Sequence, residues 1–88
     1  MLRPVHLRKF ENEVVKAKKR GKDTKKLKEV MKLLIKEETL PQKHHNHKLK
    51  GQYLGYWECH IEPDWLLIYK KTTTHITFAR TGSHSDLF

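Results

Sequence analysis

The stretch Trp57-Glu58-Cys59-His60-Ile61-Glu62-Pro63-Asp64-Trp65-Leu66-Leu67-Ile68-Tyr69 decides how this chain folds. Trp65 to Tyr69 is an unbroken apolar run, the pattern of a strand buried on both faces. Glu62-Pro63-Asp64 before it reads as a turn, because proline presets φ and aspartate bonds its neighbouring backbone. Upstream of that turn, residues 53 to 61 alternate. Tyr53, Trp57, Cys59 and Ile61 take one parity and Leu54, Tyr56, Glu58 and His60 the other, so His60 lies on the more polar face of a strand. After Tyr69, Lys70 to Thr74 is polar enough for a hairpin loop, His75 to Thr81 alternates as a further strand, and Gly82 breaks it. The result is a three-stranded antiparallel meander.

The chain before the meander has a different period. Leu2, Val5 and Leu7 alternate loosely around Pro4, which suits a short edge strand. From Arg8 to Arg20, Phe10, Val14 and Ala17 recur at helical spacing, and Gly21 is a stop signal. Asp23 and Thr24 can cap a second helix in which Leu27, Val30, Met31, Leu34 and Ile35 fall on one face, opposite Lys25, Lys28, Lys32 and Lys36; Pro41 ends it. Gln42 to Lys48 has no period and reads as a loop. The expectation is a single α+β domain over residues 1–88: an N-terminal strand and two helices packed on an antiparallel β-sheet.

Charge is divided unevenly along the 88 residues. Residues 1 to 50 carry 16 Lys and Arg against 6 Asp and Glu, whereas residues 51 to 88 carry 3 against 4, for a net charge of +9. A small surface with this excess is expected to meet a polyanion such as a phosphate backbone. The lone Cys59 excludes an internal disulfide framework and a four-cysteine zinc site. No apolar run approaches the roughly 20 residues that span a bilayer, and no leader opens the chain, so a soluble cytoplasmic protein with no membrane contact is expected. The four glycines form neither phosphate-binding motif, which argues against a nucleotide cofactor.

Four polar side chains sit at element ends or in loops, where a rigid scaffold tends to present chemistry: His47, His60, Asp64 and His84. Across the tight turn, His60 and Asp64 are expected side by side, the carboxylate raising the imidazole toward a working pKa. Each also has an ordinary reading, as a loop or strand-end hydrogen-bonding residue, and His44, His45 and His75 read as solvated. The histidine-rich loop has no HExxH or CxxC spacing, so no metal is assigned. Cys59 has the parity of an inert small hydrophobe, and Trp65 and Tyr69 read first as core.

The segments His47-Lys48-Leu49-Lys50-Gly51, Cys59 to Tyr69, and Arg80-Thr81-Gly82-Ser83-His84-Ser85-Asp86-Leu87-Phe88 together resemble the YafQ branch of the RelE/ParE toxin superfamily. That resemblance implies a compact RelE-like, microbial-ribonuclease-like fold and the toxin half of a type II toxin–antitoxin pair. It also implies an endoribonuclease that cuts mRNA, usually on the ribosome, without cofactor or metal, and an antitoxin partner. Carried onto this sequence, the catalytic positions are His47, His60, Asp64 and His84, with Arg80, Phe88 and Trp65 as substrate-binding residues. Arg80 shares the parity of Ile76 and Phe78, so it points to the core face unless a bulge near Gly82 turns it.

The chemistry expected of such a set is attack by the RNA 2′-hydroxyl, with Asp64 and His60 as base or base-orienter, His84 as acid, and His47 and Arg80 on the phosphate. The alternative is a non-catalytic ParE-like toxin or a basic RNA- or protein-binding module on the same fold, which has no need of a complete His/Asp set.

Overall fold

A computed structural model describes residues 1–88, and in it the apolar run of the meander is the central strand of a five-stranded sheet. The strands are β1 (Arg3–His6), β2 (His47–Lys48), β3 (Trp57–Glu62), β4 (Trp65–Lys71) and β5 (His75–Gly82), in the spatial order β1-β5-β4-β3-β2. The meander is antiparallel throughout, as expected, but β1 pairs parallel to β5, so the sheet as a whole is mixed. A two-residue β2 at the opposite edge was read from the sequence as loop, being too short to show alternation.

The two helices are α1 (Arg8–Lys19) and α2 (Thr24–Ile35), each close to its expected bounds. The Asp23 side chain accepts from the Lys25 N–H and caps α2. Both helices stop by the same device, with a left-handed residue after the cap: Gly21 at φ 85° and Glu37 at φ 59°. The next two N–H groups bond back, Gly21 and Lys22 to the carbonyls of Lys18 and Ala17, and Glu37 and Glu38 to those of Leu34 and Leu33. Pro41 therefore lies beyond the true end of α2.

Trp65 to Tyr69 are at most 1% exposed, and both faces of the sheet are covered. On one face Trp65, Leu67, Tyr69, Cys59, Ile76 and Phe78 pack under Phe10 of α1 and Leu27, Val30 and Leu34 of α2. On the other, Leu66, Ile68 and Ala79 lie under Leu87, Leu49, Tyr53 and Tyr56. That thinner cover comes from the loop around residues 49–56 and a terminal one-turn helix, α3 (His84–Leu87). Trp65, assigned to substrate from its motif, is 1% exposed and works inside the protein: its Nε1–H donates to Thr81 Oγ1 at 3.0 Å, and that hydroxyl donates to the Leu66 carbonyl at 2.7 Å.

Ion pairs tie the helix layer to the ends of the strands. Lys22 and Lys26 both reach Glu62 at 3.0 Å, gripping the turn between β3 and β4. Arg20 reaches Asp86 of α3 at 2.7 Å. Asp86 also accepts from the Ser83 N–H while Ser83 Oγ accepts from the Asp86 N–H, a reciprocal cap. This folds Asp86 over Gly82, where a Cβ would sit 3.0 Å from the Asp86 Cβ, a contact tight enough that any side chain there would push α3 outward by a few tenths of an ångström.

Two outcomes follow from these contacts. Thr81→Val leaves the buried Trp65 N–H without a partner and should cost about 1–3 kcal/mol in urea unfolding, whereas Thr81→Ser should cost less. The Arg20 guanidinium, helped by the Ser83 N–H, holds the Asp86 carboxyl well below the usual carboxylate range. A depressed pKa contributes stability that is complete above the unfolded value and fades as pH falls. The stability gap between wild type and Asp86→Asn should thus be constant near neutrality and narrow below about pH 4, read by thermal melts across pH.

Candidate active site

The second face of the sheet, under the thin cover, carries the polar residues. Register places His47 opposite Glu58, Glu58 opposite Ile68, and Ile68 opposite Arg80, so one row across β2, β3, β4 and β5 presents three charge-bearing side chains around an apolar floor. His60 stands opposite Leu66 in the next row toward the β3–β4 turn. Alternation along β3 sends Cys59 the other way, into the core at 0% exposure, where burial pushes its thiol up to about 12.

Arg80 reaches this row through a bulge. Tyr69 pairs with Phe78 and Ile68 with Arg80, which leaves Ala79 as the extra residue on β5. Phe78 stays in the helix-side core, while Ala79 and Arg80 both turn to the other face. The bulge is thus three residues earlier than Gly82. Because β1 ends at His6, the edge of β5 is open beyond it, and Glu13 of α1 fills the gap. Its carboxylate accepts from Arg80 Nε at 2.8 Å, Arg80 Nη2 at 2.9 Å and the Thr81 N–H at 3.3 Å. Arg80 Nη1 donates to the Tyr53 hydroxyl at 3.1 Å, toward Phe88, whose ring stands edge-on to Tyr53 at 5.5 Å and is 60% exposed.

Asp64 does not pair with His60. Its Oδ1 accepts from the His84 N–H at 2.9 Å and from His84 Nδ1 at 2.6 Å, and those two bonds hold its carboxyl below the usual range. The reason is directional: Pro63 and Asp64 form the turn itself, and α3 starts from Gly82, the partner of Leu66, so its first residue lands over the turn. An ionised carboxylate only accepts, so the His84 proton sits on Nδ1 and Nε2 is left for chemistry.

His60 has a different carboxylate. Glu58 Oε1 lies 3.5 Å from His60 Nε2 and 3.4 Å from His47 Nε2, on a side chain only 7% exposed. Glu58 was passed over in the sequence because a charged residue alternating with apolar ones reads as a solvent-facing strand position. The one available signal was its parity with His60, which puts it on the same face. Of the two loop histidines read as solvated, His45 is exposed but His44 is half-buried. His44 Nδ1 donates to the His60 carbonyl at 2.6 Å, and His47 Nδ1 donates to the His45 carbonyl at 2.6 Å. The His45 ring lies 5.3 Å from that of His60, and the His84 ring lies 5.8 Å from it on another side. No three His, Cys, Asp or Glu side chains gather at metal-ligand spacing.

With this geometry in hand, comparison with known proteins is specific. Residues 2–88 match the model of the family described as the bacterial toxin of type II toxin–antitoxin system, YafQ. The mRNA interferase toxin YafQ of Escherichia coli K12 is 46% identical over 80 residues, spanning 90% of this chain and 87% of that protein. The YafQ chain of the E. coli DinJ–YafQ complex superposes with a TM-score of 0.94 at 42% identity, covering 100% of this chain and 99% of that one. A metal-bound toxin from Helicobacter pylori gives a TM-score of 0.94 at 37% identity with 100% of both chains covered. A match that runs the length of the chain, in sequence and in fold alike, shows that this protein belongs to the YafQ family of bacterial type II toxin–antitoxin toxins.

Proposed function

We propose that this chain is an mRNA interferase: an endoribonuclease that breaks RNA by attack of a 2′-hydroxyl on the adjacent phosphate. The carrying observation is the Asp64–His84 pair at 2.6 Å, with the His84 ring centre 5.8 Å from that of His60, two imidazoles close enough to serve one phosphodiester. Support also comes from the E. coli relative, named an mRNA interferase.

The residues divide the work by their partners. His60, against the Glu58 carboxylate, takes the 2′-hydroxyl proton as the oxygen attacks phosphorus. His84 acts in its doubly protonated form: with Nδ1–H fixed by Asp64, it gives the Nε2 proton to the departing 5′-oxygen and returns to the neutral ring. One P–O bond forms and one breaks, leaving a 2′,3′-cyclic phosphate and a 5′-hydroxyl. His47 and Arg80 stabilise the extra negative charge on the pentavalent phosphate. Phe88, exposed and braced by Tyr53, stacks on a base beside the scissile bond. Arg80 is held in position for this role by the two hydrogen bonds its guanidinium donates to Glu13.

The lysines of α1 and α2 supply the long-range attraction to RNA, with the ribosome as the natural setting of the message. A cognate antitoxin is the expected protein partner, as DinJ is for the E. coli toxin. An acidic segment of such a partner would find the same basic helices. No helix is long and apolar enough to cross a membrane.

The test is cleavage of a defined mRNA, with and without purified ribosomes, mapping the new ends. His84→Ala should abolish cleavage while preserving the fold by circular dichroism, and Asp64→Asn should slow the chemical step by about 10²-fold or more without weakening RNA binding. Excess EDTA on free RNA should leave cleavage intact; its loss there would make the reaction metal-dependent. If wild type cuts nothing in any arm, or His84→Ala remains active, the catalytic assignment fails and a blocking toxin becomes the better reading.

A further inference from the structure

Next to the catalytic row, where β2 meets the start of β3, lies a cavity of about 340 Å³ that none of the roles above uses. Lys48, Leu49, Leu54, Tyr56 and Trp57 line it, and Leu54 is 76% exposed at its lip. The aromatic rings are half-buried, so each keeps an accessible part. Lysines surround them: Nζ of Lys48 and of Lys71 lie 5.4 and 5.3 Å from the Trp57 ring centre, and Nζ of Lys70 lies 5.6 Å from that of Tyr56. All three lysines are exposed, and none of them enters a salt bridge with a carboxylate, although Arg20, Lys22, Lys26 and Arg80 do.

Position matters as much as composition. Lys48 follows His47 directly and pairs with Trp57 across β2 and β3, while His47 pairs with Glu58. Alternation turns Lys48 and Trp57 toward the helix-side face while His47, Glu58 and Tyr56 take the other, so the cavity wraps the edge of the sheet one residue from that row. β2 is two residues long and is the edge of the sheet, so an extended strand leaving the row need turn around only this short edge to reach the cavity.

We propose that this cavity is a nucleotide subsite for the same RNA strand. An unpaired base flanking the scissile bond enters against Tyr56, Trp57 and Leu54, and the neighbouring phosphates take Lys48, Lys70 and Lys71 as counter-charges. Stacking on aromatics combined with ammonium groups along the backbone is the sequence-tolerant way to hold single-stranded RNA. The proposal rests on the ribonuclease reading for its ligand, but it can be measured apart from it.

Binding is read by fluorescence anisotropy with a labelled ten-nucleotide RNA carrying a 2′-deoxy nucleotide at the scissile position, which stays intact. Lys48→Ala/Lys71→Ala should raise Kd at least fivefold, and the slope of log K against log salt should shrink by about 1.4, roughly 0.7 for each lost phosphate contact. Arg3→Ala/Lys36→Ala, an equal charge loss at exposed positions outside α1 and α2, is the control. Trp57→Phe should bind near wild type and Trp57→Leu several-fold more weakly, both checked for folding by thermal melt. A Kd for Lys48→Ala/Lys71→Ala no weaker than the control, or Trp57→Leu binding as well as Trp57→Phe, overturns the subsite. The same holds if these substitutions weaken only capture of an acidic antitoxin peptide. A wild type that binds this RNA through the subsite yet fails to cut its all-ribose counterpart would remove the catalytic reading and leave the subsite standing.

Discussion

Water exclusion from both sides of β4 is the constraint from which the rest of the structure follows. Five consecutive side chains from Trp65 to Tyr69 are sealed, so the sheet needs two covers, and a chain of 88 residues has material for only one thick one. The helices supply it. What remains for the other face is the loop around residues 49–56 and one turn of helix. A thin cover leaves the flanks of that face open, and there the chain places its imidazoles and carboxylates. Apolar Ile68 forms the floor between Glu58 and Arg80, so the reactive groups sit on a rigid, dry base while their upper sides meet solvent.

The helix layer also reaches around the sheet edges to steady the opposite face. Glu13 of α1 occupies the open edge of β5 and orients Arg80. Arg20 at the end of the same helix anchors α3, and Lys22 and Lys26 anchor the turn that carries Asp64. Exposed pairs of this kind contribute little to stability one at a time. Their value here is positional, since His84 and Asp64 belong to segments that few other contacts hold. A helix of four residues has no independent stability, and its reciprocal Ser83–Asp86 cap together with Arg20 fixes where His84 points.

Much of this was legible in the residues. The apolar run, the two amphipathic helices and the edge strand at Pro4 were read within a residue or two, because each has a clean period or stop signal. The misplacements have specific causes. Tyr53 was assigned to a strand by its parity, but Gly51 and Gly55 take φ of 66° and 92° and turn the chain there, so the strand starts at Trp57. The bulge at Ala79 has no compositional mark, and only the pairing of β4 with β5 reveals it. Asp64 was matched with His60 on sequence proximity across a turn, whereas its partner comes from a segment 20 residues away. Trp65, named as a substrate contact although its place in the apolar run reads first as core, is a core strut. Partners that depend on chain crossings are invisible to periodicity.

The orientation of Cys59 has a consequence for how such a protein endures chemical stress. It is the only thiol in the chain and lies between Glu58 and His60, yet strand alternation turns it into the core, where it stays protonated. Thiolates attack peroxides and disulfides, and this sulfur has neither the charge nor the access to do so. The histidines and carboxylates of this face accordingly stand beside a cysteine without exposing it, so reagents that modify accessible thiolates find no target on the folded chain.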